Sequence, residues 1–386
     1  MKRASMIWLL WLSLTSLALL GTASGQSSPS PKNNSPKRSP NVSRGESFEE
    51  ISAAATKARD ENRDDEAVVL YERALHLKPD WKEGLWFDGV LQFGKAKYPE
   101  TRELMRRLAA LEPKAGPAWA LLGMSEYEAR DYSRAFDHLQ RAREAGLGEE
   151  KELTQSVYFY TSVLLTRFER FDDAATLLFA MVKSGYPARA MEDPVGLAVL
   201  RYPFLPSEIP ANRREMFRSA GQATLAVEAQ RRDEAEKILL ALVSNYGSEN
   251  GVHFLYGVFL LDVRPEDGVK ELQEELKVAP FNFTAKARLA EEYLKEEKTD
   301  EALRLADEIL KVDPDYSSAH LVRGEALIAK GDLANGIAAL EASRKLRPDV
   351  VRTRWDLLKA YTSAGRNEDA QHEKEEIERL RRPEVQ

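Results

Sequence analysis

Apolar residues recur in this chain at helical spacing, in blocks that repeat every 34 residues. In the block that starts at Phe283, Leu289, Ala290, Tyr293, Ala302 and Ile309 occupy positions 7, 8, 11, 20 and 27, and Pro314 stands at position 32. Separations of three, four and seven residues place such side chains on one face of a helix. Each block therefore predicts two helices, each with one apolar face. The closing proline has no amide hydrogen to donate and stops the second helix. Pro280, Pro314 and Pro348 mark the interval, and Pro79 and Pro113 mark it again. A regular interval of this length means stacked two-helix units, each touching only its neighbours, so that the core grows along one axis.

Other blocks fit the same frame. From Phe48, Ala55, Ala67, Tyr71, Ala74 and Pro79 fall in place, and from Lys82, Gly89, Tyr98 and Pro113 do. From Gly116 come Trp119, Leu122, Gly123, Tyr132, Ala135 and Ala142, and from Gln155 come Ser162, Phe171 and Ala174. Later blocks start near Met216, Asn250, Phe283, Ser317 and Val351. The pattern resembles the tetratricopeptide repeat, with a small residue at 8 and 20, an aromatic at 11 and proline at 32. The resemblance covers about four fifths of the chain and implies an all-α, right-handed superhelical solenoid of about nine helix-turn-helix repeats. It also implies that the two helices of a unit come closest at positions 8 and 20. Thr101 replaces the usual alanine, the fourth and fifth repeats lack the closing proline, and several units lack an aromatic at 11.

Outside the repeats the pattern changes. Lys2 and Arg3 precede a run from Met6 to Leu20 that is apolar except for Ser13, Thr15 and Ser16, and small residues follow to Gly25. This is the three-part form of a secretory signal. The expectation is a signal peptide over 1–25, cut before Gln26 or Ser24, because the 15-residue run is shorter than the ~20 residues that cross a bilayer. Residues 26–46 hold Ser, Pro, Asn and basic residues with almost no apolar side chains, which predicts a disordered linker. Repeats one to four are expected over 47–184 and repeats five to nine, with a charged capping helix, over 216–382. Between them, residues 185–215 are interrupted by Pro187, Pro194, Pro203, Pro206 and Pro210. A short helix and an irregular connector are expected there, serving either as a docking element or as an apolar plug over repeat ends.

Composition narrows the function. The net charge is −7, and it becomes −9 when Lys2 and Arg3 are removed with the signal. That balance argues against nucleic acid as the main partner. The absence of cysteine excludes disulfides, thiolate catalysis and cysteine zinc sites. The five histidines, His76, His138, His253, His320 and His372, fall in different repeats, so no metal site is expected. Gly123-Met124-Ser125-Glu126-Tyr127 lacks the last glycine of a nucleophile elbow and lies within a predicted helix. No catalytic residue and no cofactor are expected, and the chain reads as a non-enzyme.

The resemblance implies that first helices line a concave groove, with positions 2, 5, 9, 12 and 13 pointing into it. In repeats two to four those positions bring Trp86, Phe93, Met124, Tyr127 and Phe159 forward as candidate peptide-binding residues. The competing reading, that these side chains are core, stays open from sequence. The expected function is a protein-protein interaction scaffold of the bacterial envelope, periplasmic or secreted, that binds a peptide segment of a protein partner and spans no membrane once cleaved. The alternative is an accessory subunit of an export or envelope-assembly complex.

Overall fold

The computed structural model describes residues 47–381, and the expected signal and linker lie outside them. Every regular element among the described residues is helical. The chain forms two compact units, one ending at Pro187 and the other beginning at Ala188.

The first unit contains four hairpins. They pair α1 (Phe48–Asp60) with α2 (Asp64–Leu77), α3 (Lys82–Gly94) with α4 (Tyr98–Leu111), α5 (Gly116–Glu128) with α6 (Tyr132–Ala145), and α7 (Lys151–Arg167) with α8 (Phe171–Lys183). The first hairpin opens with a reciprocal cap, in which the Ser47 hydroxyl accepts from the Glu50 amide and the Glu50 carboxylate accepts from the Ser47 amide.

The second unit starts with α9 (Ala188–Val199) and a 3₁₀ turn at Pro206–Glu208. Five hairpins follow: α10 (Arg214–Glu228) with α11 (Arg232–Tyr246), α12 (Val252–Leu261) with α13 (Pro265–Val278), α14 (Phe283–Lys295) with α15 (Thr299–Leu310), α16 (Ser317–Ala329) with α17 (Leu333–Leu346), and α18 (Val351–Ser363) with α19 (Asn367–Arg381).

The segment expected as a connector is largely built into this second unit. Helix α9 lies so close to α10 that a Cβ on Gly196 would fall 1.8 Å from the Phe217 carbonyl oxygen, and one on Gly221 would fall 1.9 Å from that of Glu192. Leu197, Leu200 and Ile209 share a core with Met216 and Phe217.

Small residues do what the pattern demands. A Cβ on Gly123 would stand 2.8 Å from Leu139 Cγ and 3.0 Å from the Ala135 carbonyl, and one on Gly324 would stand 2.7 Å from Leu340 Cγ. Ala55, Ala67, Ala290 and Ala302 are fully buried at equivalent contacts.

The turn within each hairpin is equally regular. Position 15 takes a left-handed conformation at Asn62, Ala96, Arg130, Glu169, Gln230, Glu297, Gly331 and Gly365. The next amide then donates to the carbonyl five residues back, as Lys97 does to Gln92 (3.0 Å) and Asp131 to Glu126 (2.9 Å). This is the Schellman ending of a helix. The sixth repeat departs from it: Arg264 has φ −141° because it precedes Pro265, whose ring disfavours helical conformations at the residue before it.

Candidate functional site

In the first unit, successive first helices meet one another, α3 with α5 and α5 with α7, in addition to packing on their own hairpin partners. These contacts set α3, α5 and α7, the helices that carry the candidate residues, side by side.

The structure divides that set. Met124 is 1% exposed and Phe93 is 7% exposed, and both belong to the core built from α3 to α7. Met124 sits on α5, which has a first helix against each side, so position 9 is covered. Phe93 turns toward the Tyr98 ring of its own hairpin, 5.6 Å away in an edge contact at 68°. Neither presents a groove surface. Trp86, Tyr127 and Phe159 are half-buried, each with one side seated on that core.

Further aromatics pack around these three, Tyr160 among them as a buried core residue. The Tyr127 ring stands 4.7 Å from Tyr160 in edge-to-face contact and 5.6 Å from Tyr132, and Phe159 lies 6.0 Å from Tyr160. The Tyr160 hydroxyl donates to Glu128 Oε1 at 3.1 Å, which joins the third repeat to the fourth. Burial pushes the Glu128 carboxyl above its usual pKa, while the tyrosine hydroxyl acts in the opposite direction. Burial, reinforced by Glu128, raises Tyr160 well above the ordinary phenol range. Tyr98 is raised in the same way. The sequence frame missed Tyr160 because it expects an aromatic at position 11, not at position 6. Tyr98 and Tyr132 stand at position 17, and they were legible as repeat features but not as wall of this surface.

A cleft of ≈540 Å³ opens beside α1, lined by Ser52, Ala53, Thr56, Lys57, Asp60, Glu61, Trp81 and Glu83. Trp81 forms its aromatic wall, braced edge-on by Phe48 at 5.2 Å and by Tyr71 at 5.6 Å. The sequence frame did not mark it, because Trp81 stands at position 34 of the first repeat, where the pattern specifies no residue type.

Three of the histidines have hydrogen-bond partners, among them His320, which lies 2.8 Å from the Pro314 carbonyl. His138 Nδ1 lies 2.6 Å from Glu126, and His253 Nδ1 lies 2.6 Å from Glu271. Among the described residues no group of three potential ligands is placed to hold a metal ion, and no helix is long and apolar enough to cross a membrane.

Comparison with known proteins gives three findings. Residues 287–351 match the tetratricopeptide repeat family. No curated relative matches the chain. Solved structures of MamA are similar. One, a double mutant of the RS-1 protein, has 17% identity and a TM-score of 0.38, covering 43% of this chain and 94% of that one. Another, MamA from residue 41 to the end from Desulfovibrio magneticus RS-1, has 20% identity and a TM-score of 0.34, covering 42% and 93%. A third MamA crystal structure has 14% identity and a TM-score of 0.36, covering 41% and 93%.

Proposed function

We propose that this tetratricopeptide-repeat protein holds a peptide segment of a protein partner on the first helices of its first unit. The chain is a protein-protein interaction scaffold. Trp86, Tyr127 and Phe159 carry the finer reading, because each is half-buried on a first helix with its ring supported by packed core. Aromatic side chains held this way lose little freedom on binding and offer large apolar area. A helical or extended segment with apolar side chains at regular spacing suits such a surface. The Trp81 cleft lies on the neighbouring first hairpin and extends the surface available to the same segment. The role requires no catalytic group.

We further propose that the protein acts outside the cytoplasm, in the bacterial envelope, on the support of the basic start, apolar run and small residues of its N-terminus. Crosslinking in the native host, followed by mass spectrometry, identifies the partner. Trp86→Ala with Tyr127→Ala should remove that crosslink while the protein remains folded, and an undiminished crosslink would place the site elsewhere. Recovery of Met1 or Lys2 at the N-terminus of membrane-bound protein would overturn export with cleavage.

A further inference from the structure

The second unit carries a charged contact that the peptide-binding role does not use. Arg352 lies in the first turn of α18, and its guanidinium reaches two earlier first helices at once. Nε and Nη2 donate to the Glu325 carboxylate of α16 at 3.0 and 2.8 Å, and Nη1 donates to Glu291 of α14 at 3.0 Å. Glu291 lies 61 residues earlier in the chain, so one side chain ties the seventh, eighth and ninth repeats. Each first helix in a stack shifts against the next when the stack flexes, and a contact that spans two such intervals resists the motion.

A second feature lies against this one. Asp356 Oδ2 of α18 is buried and accepts from no donor, and the Asp356 carboxylate helps to push the Glu325 carboxyl above its usual pKa. Two carboxylates placed together repel when Glu325 is ionised, and a proton held by Glu325 removes that cost and offers the orphaned oxygen a donor. We propose that Arg352 and a proton held by Glu325 beside Asp356 together form a strap across α14, α16 and α18, which loosens when the proton leaves.

The surrounding charges agree with this assignment. Burial is the main cause that raises Glu325 to about 7, against the pull of Arg352 and with the help of Asp356. On α14, Arg288 is engaged with Glu291 and Glu292, and Lys295 with Glu292. On α18, Lys359 lies 3.4 Å from Asp356. Arg323 of α16 turns to Asp307 of α15, and Glu308 of α15 pairs with Lys286. On α17, Asp332 caps its own helix, Glu341 accepts from Tyr361, and Arg344 is held by Glu373. The sign follows from the direction of the shift. A carboxyl raised on folding contributes stability below its ordinary pKa, and that contribution is lost as pH rises through about 7.

Amide hydrogen exchange of the full chain, corrected for the intrinsic pH dependence, tests the strap locally. Protection of α14, α16 and α18 should fall as pH rises from about 5 to about 7 and level off above that, by up to about ten-fold for each pKa unit of the folding shift. Glu325→Gln keeps a donor for Asp356 and an acceptor for Arg352, so its protection should be independent of pH across that range. Arg352→Met keeps the aliphatic stem and should lower protection at both pH values. A step that survives in Glu325→Gln, its absence in the natural protein, or unchanged protection in Arg352→Met would each overturn the proposal.

Discussion

Tyr127 and Tyr160 meet edge to face with their ring centres 4.7 Å apart, and the Tyr160 hydroxyl binds Glu128, the residue after Tyr127. One tyrosine thus joins the third and fourth repeats by both packing and a charge-assisted hydrogen bond. Tyr160→Phe keeps the ring and removes the bond, so it should cost about 1–2 kcal/mol at pH 8. Glu128 is already raised on folding, which means its ionised form is disfavoured in the native state. The variant raises it further. Its deficit should therefore shrink as pH falls and Glu128 takes up a proton, as urea midpoints at pH 5 and pH 8 would reveal.

The hairpin turns make a sharper prediction. Ala96 holds φ +55°, a conformation that costs an L residue roughly 1–2 kcal/mol. Ala96→Gly should stabilise the protein by about 0.5–1 kcal/mol, the strain relief less the extra freedom of glycine in the unfolded chain. Gly331 occupies the same turn position two units from the C-terminal end at φ +86°, and a Cβ there meets nothing within 4 Å. Gly331→Ala should therefore destabilise by about 1 kcal/mol through backbone strain alone. Equal midpoints for the two variants would contradict the turn geometry.

The helix contacts were readable from sequence because they admit few residue types. Only a small side chain fits where Gly123 faces Leu139, so the interval between such residues fixes the hairpins. The left-handed turns were not readable, because Asn62, Ala96, Arg130 and Glu169 carry no glycine signal and the Schellman bonds impose the conformation. The exposure of the candidate residues was readable only in part. Position within a repeat gives the direction of a side chain but not what the next repeat lays over it. Hence Trp86 and Phe159 keep an open side, whereas Met124 is covered between two first helices. The inward turn of Phe93 depends on Tyr98, and the role of Trp81 depends on Phe48 and Tyr71.

Overpacking tests the same register in the second unit. Ala302 is fully buried and shares a core with Ala290 and Leu289 of the facing helix. Ala302→Leu adds volume where the two backbones come together and should cost about 1–3 kcal/mol. Gly123→Ala sets two effects against each other. Alanine favours helix by about 1 kcal/mol, but its Cβ would stand 2.8 Å from Leu139 and 3.0 Å from the rigid Ala135 carbonyl. The carbonyl cannot yield as a side chain can, so the net effect should be destabilising. An unchanged denaturation midpoint in either variant would displace the assigned contacts.

Asp88 supplies a pH dependence in the first unit. It occupies position 7 of its repeat, a place filled by Leu122 and Leu289 in others, and it is 1% exposed. Burial raises it to about 7, the nearby negative charge of Glu72 adds to the shift, and the hydrogen bond from Gln92 Nε2 at 3.2 Å opposes it. The native state therefore holds a proton that the unfolded chain releases near pH 4. Between those values the unfolded state binds fewer protons, so stability falls as pH rises and levels off above about 7. Full ionisation of Asp88 should remove on the order of 3 kcal/mol relative to its protonated form. Asp88→Asn cannot ionise and leaves a polar group of similar shape. It should match the natural protein below about pH 4 and exceed it in stability at pH 8.5, and comparing the two proteins at each pH removes contributions from Glu325 and other groups that titrate in both. A constant difference across the range would mean that Asp88 is ionised in the folded protein throughout, and that its buried carboxylate is compensated by Gln92 and its surroundings.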